Sequence, residues 1–374
     1  MKVAICTNEQ QFRANRILDK SWAKNFPGAL WVSFFADFLK KKGVEVVTGD
    51  VALANIQVKH WKPKDILVVQ ALDAEYGKQL VKLGAKPFIL TGFESPLHAP
   101  YFYDQLPKIA LQFTHRILYS GAFKSFSIRK GFNHLAYFPS FIRNDIIRVK
   151  KWDGRKFIVM VAANKYFEKP FPIPIPHYLS EYFDWMRDRF AKWQSQTRTL
   201  AIESELITKR LGAIEYFDSA EKINLFGHDW DNIQNLPFSW QKRLGKIIKR
   251  LKPKLVENKL ETISFYKFSI CFENVSYPGF ISEKIIDCFV AGVIPIYLGA
   301  PNIEKFVPPN SFIDMRNFDS WEKLHKYLIK VDNNKASKMI QMGRNFLESN
   351  KGKFYNQEEF AKFVSKLVLN LRFS

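Results

Sequence analysis

Short apolar runs alternate with helical patterns along the first 150 residues. Runs at residues 3–6, 44–47, 66–69 and 88–90 predict buried strands. Between them, apolar residues recur at helical spacing from Leu30 to Leu39 and stop before Gly43, and residues 75–83 predict a further helix. Strands that alternate with helices predict βαβ units and a parallel sheet covered on both faces.

A polar stretch at residues 149–156 interrupts this alternation and contains the turn pair Asp153-Gly154. The alternation resumes with predicted strands at residues 157–161, 223–226, 268–272 and 293–298 and a long helical region near 178–212. We therefore predict an α/β protein of two Rossmann-like domains, residues 1–150 and 151–352, with a C-terminal helix at 353–374 packed on the body. Because ligand sites lie at the carboxyl ends of parallel strands, the two domains are expected to face each other across a cleft.

Two further segments have a bias of their own. The prolines of KPFPIPIP, residues 169–176, forbid a helix and favour an extended surface loop. Residues 358–371 place apolar side chains at helical spacing, which is typical of a helix packed on the body. A helix that contacts a membrane is the alternative for this segment.

The chain combines a large positive charge with a composition that can form a core. Its 374 residues include 57 Lys+Arg and 36 Asp+Glu, a net charge of +21, and 47% are hydrophobic, which excludes an intrinsically disordered chain. Nucleic acid, an anionic membrane and phosphate-bearing substrates each fit this charge, as does a lysine-rich composition without a specific partner. The aromatic residues lie mainly in apolar periodic runs and no nucleic-acid-binding module is recognised, so a nucleic-acid partner is not expected.

Cysteine usage and the lengths of the apolar runs bear on the compartment. Cys6, Cys271 and Cys288 lie inside apolar runs without metal-ligand spacing, which predicts reduced, buried thiols. The first apolar run is too brief for a signal peptide, and none approaches the ~18 residues of a membrane helix. A cytoplasmic location is expected, and peripheral contact at the inner membrane face is left open. A chain from which an N-terminal anchor had been removed would have the same pattern.

The most informative segment is the run FENVSYPGFISEKIIDCFVAGVIPIYLGAP, residues 272–301. It predicts a strand that ends at Glu273-Asn274, a turn, a helix that opens near Ser282 and stops at Gly292, and a second buried strand. The N-terminus of a helix beside a strand end binds anions, and Lys284 in its first turn adds a full charge. Glu283 can accept hydrogen bonds from vicinal hydroxyls, as acidic residues do in nucleotide sites. A capped helix with surface Glu and Lys is the alternative.

This run resembles the signature of the α-1,3/4-fucosyltransferases, glycosyltransferase family 10. The resemblance continues in PPNSFIDMRNF, residues 308–318, which is similar to the closing segment of the family signature. In the N-terminal half, LTGFESPLHAP at residues 90–100 resembles the family's ESP-x-x-x-P element. Weaker similarities are VAAN at 161–164, ITKRLGAIEYF at 207–217 and INLFGHDW at 223–230. Two specific matches in the family's order make chance similarity an inadequate explanation.

The resemblance implies a GT-B fold and an inverting transfer of L-fucose from GDP-β-L-fucose to a glycan hydroxyl, in α-1,3 linkage to N-acetylglucosamine or glucose. It implies Glu94 as the general base, with a capping role before Pro96 as the alternative. Lys284 and Arg210 are implied to meet the charge of the leaving diphosphate, although Arg210 has a helix-surface arginine as its alternative and Arg198 as a competing alignment. The resemblance also puts the donor-contact positions at Asn164, Asn274 and Glu283.

One departure from the family pattern concerns the donor. Phe280 stands where the family has Tyr, and Ser282 stands for Thr, so a phenol that can bond the donor is missing unless Tyr277 supplies one. A GT-B enzyme for a different nucleotide sugar is therefore the main alternative function, and a basic nucleic-acid-binding protein is the alternative of another class.

The resemblance requires no cofactor and no protein-bound metal, and a divalent cation is expected to act at most as a stimulant. Asp229-Trp230-Asp231 has the spacing of a metal-binding Asp-x-Asp motif, but its place after Gly227 favours a structural turn. The expected partners are a nucleotide sugar, an oligosaccharide or lipid-linked glycan acceptor, and an anionic membrane at the periphery. The sequence predicts no oligomeric state.

Overall fold

The computed structural model describes residues 1–26, 28–126, 131–164, 196–236 and 238–372. The predicted loop at 169–176 and the part of the predicted helical region before residue 196 lie outside these residues. The chain divides into two compact units, Met1–Ile142 with Asn350–Ser374, and Arg143–Ser349. The sequence predicted domain boundaries after residues 150 and 352. In the structure, the chain passes from the first unit to the second after residue 142 and returns to the first unit after residue 349.

The first unit is built on a six-stranded parallel sheet with the order β2-β1-β3-β4-β5-β6. Its strands are β1 Lys2–Cys6, β2 Glu45–Thr48, β3 Ile66–Ala71, β4 Lys86–Gly92, β5 His115–Leu118 and β6 Phe132–Leu135. Its first helices are α1 Lys20–Ala23, α2 Leu30–Lys40, α3 Gly49–Gln57, α4 Glu75–Lys82 and α5 Pro100–Ile109. The four strands predicted for this half are thereby confirmed.

Strands β5 and β6 were not predicted because polar residues interrupt their apolar pattern. Arg116 in β5 is completely buried. Its guanidinium donates hydrogen bonds to Asn133 Oδ1 in β6 at 2.8 Å and to the carbonyls of Ala110 and Phe113 at 2.9 and 2.8 Å. These bonds offset the cost of burying a charge, which a hydrophobicity pattern cannot anticipate.

The second unit contains a five-stranded parallel sheet with the order β11-β10-β9-β7-β8. Its strands are β7 Lys156–Val161, β8 Asn224–Phe226, β9 Tyr266–Phe272, β10 Ile294–Leu298 and β11 Ile313–Asp314. Its described helices are α6 Gln196–Glu203, α7 Ile207–Ala220, α8 Phe238–Leu251, α9 Lys259–Ser264, α10 Glu283–Ala291, α11 Trp321–Leu328 and α12 Asn333–Glu348. The order reverses between β7 and β9, and ligands bind at the carboxyl ends of strands beside such a reversal.

The described part of the predicted helical region near 178–212 consists of two helices, α6 and α7, and α7 continues to Ala220. Residues 204–206 separate α6 from α7 and pair with residues 274–276, where Leu206 N donates to Asn274 O at 3.0 Å and Ser276 N donates to Ser204 O at 2.8 Å. The backbone bonds that would continue a helix are used for this pairing. The break therefore holds the start of α7 beside the end of β9.

The chain returns to the first unit through the last helix, α13 Gln357–Leu369. Its apolar side chains Phe360, Val364 and Val368 are buried, and the helix packs against α2, where the Phe360 and Trp31 rings lie 5.1 Å apart in an edge contact. The helix predicted for this segment is confirmed. The membrane-contacting alternative is wrong, because the apolar face is used inside the unit.

The three cysteines are buried free thiols, as predicted. In the part of the chain that the structure describes, no helix combines the length and the apolar character needed to cross a bilayer.

Candidate functional site

Helix α10 opens with a capped N-terminus at the carboxyl edge of the second sheet. Ser282 has extended backbone dihedrals, φ −86° and ψ −169°, and its Oγ accepts from the N–H of Lys284 at 3.5 Å. Gly292 ends the helix with φ +68°, a left-handed conformation that glycine adopts without strain. The predicted start and stop of this helix are confirmed.

Glu273 follows β9 directly and ties the strand to this helix N-terminus. Its side chain is completely buried. Oε1 accepts from Ser282 N at 2.8 Å, and Oε2 accepts from Ser282 Oγ at 2.7 Å and from Lys284 Nζ at 3.2 Å. These three donors stabilise a carboxylate that would otherwise be costly to bury. The sequence interpretation missed Glu273, although its place one residue after a buried strand was visible.

Lys284 is held by neighbours on both sides. Its Nζ also donates to Ser282 Oγ at 2.9 Å and lies 3.7 Å from Glu283 Oε1. Only 16% of the Lys284 side chain and 26% of the Glu283 side chain are exposed. An ammonium has three donors, and Glu273 and Ser282 use two of them. The third is therefore available beside Glu283.

Arg210 on α7 reaches the same strand end. It is 6% exposed, so the helix-surface alternative for this arginine is wrong. Nε and Nη2 donate to Phe272 O at 3.0 and 2.6 Å, and Nη2 donates to Asn274 Oδ1 at 2.6 Å. Nη1 donates to none of the described residues. Burial lowers the pKa of Arg210, while Glu273 and Glu283 act in the opposite direction.

A second lysine completes this group of charges. Lys259 Nζ lies 2.6 Å from Asp287 Oδ2 and 3.6 Å from Glu283 Oε1. Burial disfavours the charged form of Glu283, but Lys284 and Lys259 outweigh it and lower its pKa to about 2. Neither Lys259 nor Asp287 was singled out from the sequence. We call the six residues the ionic cluster: Arg210, Lys259, Lys284, Glu273, Glu283 and Asp287.

Asn164 lies at the carboxyl end of the neighbouring strand β7, on the other side of the reversal in strand order. It is buried, and its Nδ2 donates to Asp229 O at 3.0 Å and Asn232 O at 3.2 Å. Trp230 Nε1 donates to Ala162 O at 2.7 Å, so three side-chain hydrogen bonds fix the turn after β8. Asp229 and Asp231 are exposed on this turn. In the described residues, no three His, Cys, Asp or Glu side chains are grouped so that they could hold a metal ion.

Phe280 and Tyr277 lie in the loop between Asn274 and α10. Phe280 is buried, and its carbonyl accepts from the Tyr297 hydroxyl at 3.5 Å. Tyr277 is partly exposed, and burial raises the pKa of its phenol. Gly299 approaches the loop closely, because a Cβ there would lie 2.3 Å from Tyr297 Oη and 2.6 Å from Glu273 Cγ. A side chain at position 299 would therefore displace Glu273.

Glu94 belongs to the first unit, two residues after the end of β4. Its side chain is exposed, and its carbonyl accepts from the Tyr103 hydroxyl at 2.8 Å. Ser95, next to it, is completely buried, and its Oγ lies 2.9 Å from His98 Nδ1. The following helix α5 has Ala99 in its cap position.

Comparison with known proteins relates the segment that contains this site to a glycosyltransferase family. Residues 208–341 match the description "Glycosyltransferase family 10 (fucosyltransferase) C-term". The chain is 35% identical to the alpha-(1,3)-fucosyltransferase FucT of Helicobacter pylori over 112 residues, which are 29% of this chain and 23% of that one. It is 41% identical to 4-galactosyl-N-acetylglucosaminide 3-alpha-L-fucosyltransferase 9 of Mus musculus over 80 residues, 21% of this chain and 22% of that one. The matched segments thus span less than a quarter of each relative.

Solved structures extend the likeness to the whole chain. A crystal structure of an alpha1,3-fucosyltransferase has a TM-score of 0.50 at 16% identity and covers 98% of this chain and 89% of its own. A crystal structure of Anabaena Alr3699/HepE in complex with UDP and glucose has a TM-score of 0.53 at 12% identity and covers 99% and 100%. These likenesses show the fold, so the predicted α/β, GT-B class is confirmed. Residues 208–341 of this chain match the C-terminal part of glycosyltransferase family 10, so the resemblance to this family that the sequence predicted is confirmed.

Proposed function

We propose that this chain is an inverting glycosyltransferase that transfers L-fucose from GDP-β-L-fucose to a hydroxyl of a glycan acceptor. The observation that carries the proposal is a pair of cations with little exposure, Arg210 at 6% and Lys284 at 16% of its side chain, at a helix N-terminus beside the reversal in strand order. A nucleotide diphosphate is the ligand that such a site favours. The family match supplies the class of reaction.

On the donor side, the open donors are the third N–H of Lys284 and Nη1 of Arg210. Both bind the diphosphate oxygens, and the free N–H groups of α10 add to the positive potential. Asn274 orients Arg210 through the bond from Nη2 at 2.6 Å. The ionised carboxylate of Glu283 accepts hydrogen bonds from vicinal hydroxyls of the donor.

The remaining donor-side residues have supporting roles in this scheme. Asn164 fixes the turn after β8 through its bonds to Asp229 and Asn232. The loop that contains Phe280 closes the donor site, and the Tyr277 phenol replaces the hydroxyl that Phe280 lacks.

In the transfer step, Glu94 accepts the proton of the acceptor hydroxyl as that oxygen attacks the anomeric carbon. The new carbon–oxygen bond forms on the face opposite the diphosphate, and the bond to the β-phosphate oxygen breaks with its electron pair going to GDP. Lys284 and Arg210 stabilise the charge that develops on the leaving group. The anomeric configuration is therefore inverted, and the scheme requires no metal bound by the protein.

The acceptor that we propose is an oligosaccharide or lipid-linked glycan that ends in N-acetylglucosamine or glucose, with α-1,3 linkage. One relative is named as a 3-alpha-L-fucosyltransferase of a 4-galactosyl-N-acetylglucosaminide, which supports the first sugar.

Phe280 favours a second candidate, a transferase of the same fold for another nucleotide sugar. Thermal unfolding with GDP-fucose, GDP-mannose, UDP-glucose and ADP-glucose separates the two, because a ligand that binds the native state raises its melting temperature. We expect GDP-fucose to raise the melting temperature by several degrees and the UDP and ADP sugars to have no effect. Lys284→Met should abolish the shift, whereas Lys323→Met on an exposed face should retain it. A shift with a UDP or ADP sugar alone would select the second candidate.

We further propose that helix α8 contacts an anionic membrane at its surface. Lys242, Lys246 and Lys249 share its exposed face, opposite the buried Leu244 and Ile248. None of the three lysines forms an ion pair with a described residue. At the end of the helix follow two exposed lysines and a leucine that is 68% exposed, namely Lys252, Lys254 and Leu255. Basic side chains near an apolar tip are suited to anionic lipid headgroups.

Co-sedimentation with vesicles of phosphatidylcholine, with and without 30% phosphatidylglycerol, tests this contact. Each lysine near an anionic surface contributes about 1 kcal/mol, so reversal of Lys242, Lys246 and Lys249 to Glu should lower binding at least tenfold. The control reverses the three exposed lysines 40–42 at the end of α2. An equal loss in both variants, or no dependence on phosphatidylglycerol, would refute a specific contact through α8.

A further inference from the structure

Lys259 stands between two carboxylates of the ionic cluster. It is the first residue of α9, which Asn258 caps by accepting from Glu261 N at 3.0 Å and which packs against α10. Its ammonium lies 2.6 Å from Asp287 Oδ2 and 3.6 Å from Glu283 Oε1. A capped, packed helix thus fixes the origin of this side chain, and two carboxylates fix its end.

The arrangement on α10 needs this cation. Glu283 and Asp287 are four residues apart and therefore share one helix face, where like charges repel. Glu283 has one ammonium on each side, Lys259 at 3.6 Å and Lys284 at 3.7 Å. Without Lys259, Lys284 would be the only ammonium within ion-pair distance of Glu283 among the described residues.

Lys284 already forms an ion pair with Glu273. The Glu273 carboxylate is completely buried, so water cannot replace Lys284 as its partner. A Lys284 ammonium drawn to Glu283 as well would have no donor left for a diphosphate. Because Lys259 pairs with Glu283, the third N–H of Lys284 stays available for a diphosphate oxygen.

We propose that Lys259 is a positioning residue for the sugar-nucleotide donor. It does not touch the donor, but it holds Glu283 ionised and in place and leaves Lys284 open to the diphosphate. This inference rests on the proposed function and names a residue on a helix that neither the family signature nor the sequence interpretation included in the site.

Calorimetric titration with GDP-fucose tests the proposal in Lys259→Met, with Lys259→Arg as the conservative variant. We expect Lys259→Met to weaken GDP-fucose binding about tenfold at pH 7.5, and Lys259→Arg to restore most of it. KM for the donor should rise by the same factor while kcat changes less than threefold. Lys323→Met, which removes a lysine from an exposed ion pair, should bind normally.

The pH dependence of binding gives a second readout. The groups that face Glu283 are Lys284 and Asp287 on its own helix, Lys259 on α9, Arg210 on α7 and Glu273 after β9. In the native chain the pKa of Glu283 is about 2, so it stays charged between pH 7.5 and pH 5. Burial raises the pKa of Asp287 to about 6, and its protonation leaves Lys259 to Glu283 alone. Binding should therefore persist at pH 5 in the native chain and fall in Lys259→Met, whose Glu283 accepts a proton at higher pH.

The double variant Lys259→Met/Asp287→Asn separates positioning from plain stability. It removes the carboxylate that Lys259→Met leaves without its partner, so the melting temperature should recover while donor binding stays weak. Recovery of both would mean that Lys259 only neutralises Asp287, and the inference would be wrong. Native-like binding by Lys259→Met would refute it equally. A native chain that binds no GDP-fucose would instead overturn the proposed function.

Discussion

Fucose transfer by Glu94→Gln is expected to be slower by about 10²- to 10⁴-fold, the range that general-base catalysis typically contributes. The amide cannot take the acceptor proton, but its shape is unchanged and the side chain is exposed after β4, so folding should be unaffected. GDP and GDP-fucose should bind as tightly as to the native chain, because Glu94 is proposed to act on the acceptor. Transfer to a panel of glycans that end in N-acetylglucosamine or glucose, together with calorimetric binding of GDP, measures both quantities.

The matched control is Glu45→Gln, since Glu45 is an exposed glutamate at the amino end of β2 in the same unit. The carboxyl ends of parallel strands carry the site, so this variant should transfer fucose at the native rate. If Glu94→Gln turned over normally, Glu94 would not be the base. A loss of GDP binding in Glu94→Gln would assign this glutamate to the donor side.

Glu273→Gln is expected to lower the free energy of unfolding by about 3 kcal/mol and to weaken GDP-fucose binding strongly. The carboxylate accepts from Ser282 N, Ser282 Oγ and Lys284 Nζ, and an amide can replace only part of this set. Its NH₂ group would face donors, and Lys284, whose side chain is only 16% exposed, would lose its carboxylate partner. Urea unfolding gives the stability, and calorimetric titration gives the affinity.

Glu304→Gln serves as the control in the same unit. Glu304 is 51% exposed in an ion pair with Arg316, and exposed pairs contribute little, so a change below about 1 kcal/mol is expected. Equal effects of the two substitutions would show that Glu273 is no more than a surface-type ion-pair partner. Native GDP-fucose affinity in Glu273→Gln would contradict its place in the donor site even if stability fell.

The sequence predicted strands β1 to β4 but not β5 and β6, and the difference has a physical reason. Strands such as β3, where the four residues from Ile66 to Val69 are apolar and buried, contain continuous apolar runs because both faces of a parallel sheet are covered. Strand β5 contains His115 and Arg116, and the sequence signal fails there because buried polar groups depend on partners far along the chain. The α7 start was likewise hidden, because residues 204–206 pair with residues 274–276.

The candidate site shows the same division. Lys284, Glu283 and Asn274 were found from one contiguous motif, and Arg210 from a weaker similarity. Glu273 lies inside that motif, but its role in holding Lys284 became visible only from its burial and from its hydrogen bond to Lys284 in the structure. Lys259 lies 24 residues before Glu283 in the sequence and is part of no motif, yet its ammonium is 3.6 Å from that carboxylate.

The sequence by itself determined the class of fold, the strand ends where the candidate site lies, and the resemblance to glycosyltransferase family 10, because apolar periodicity and a contiguous motif are local properties of a chain. Only the tertiary structure decided which charges are paired. Among the 57 Lys+Arg, Arg210, Lys259 and Lys284 are matched by Glu273, Glu283 and Asp287 and add nothing to the excess of +21. The lysines of α8, which pair with no described residue, contribute to it. Coulomb interactions depend on distance and burial, and both are set by the packing of helices that lie far apart along the chain.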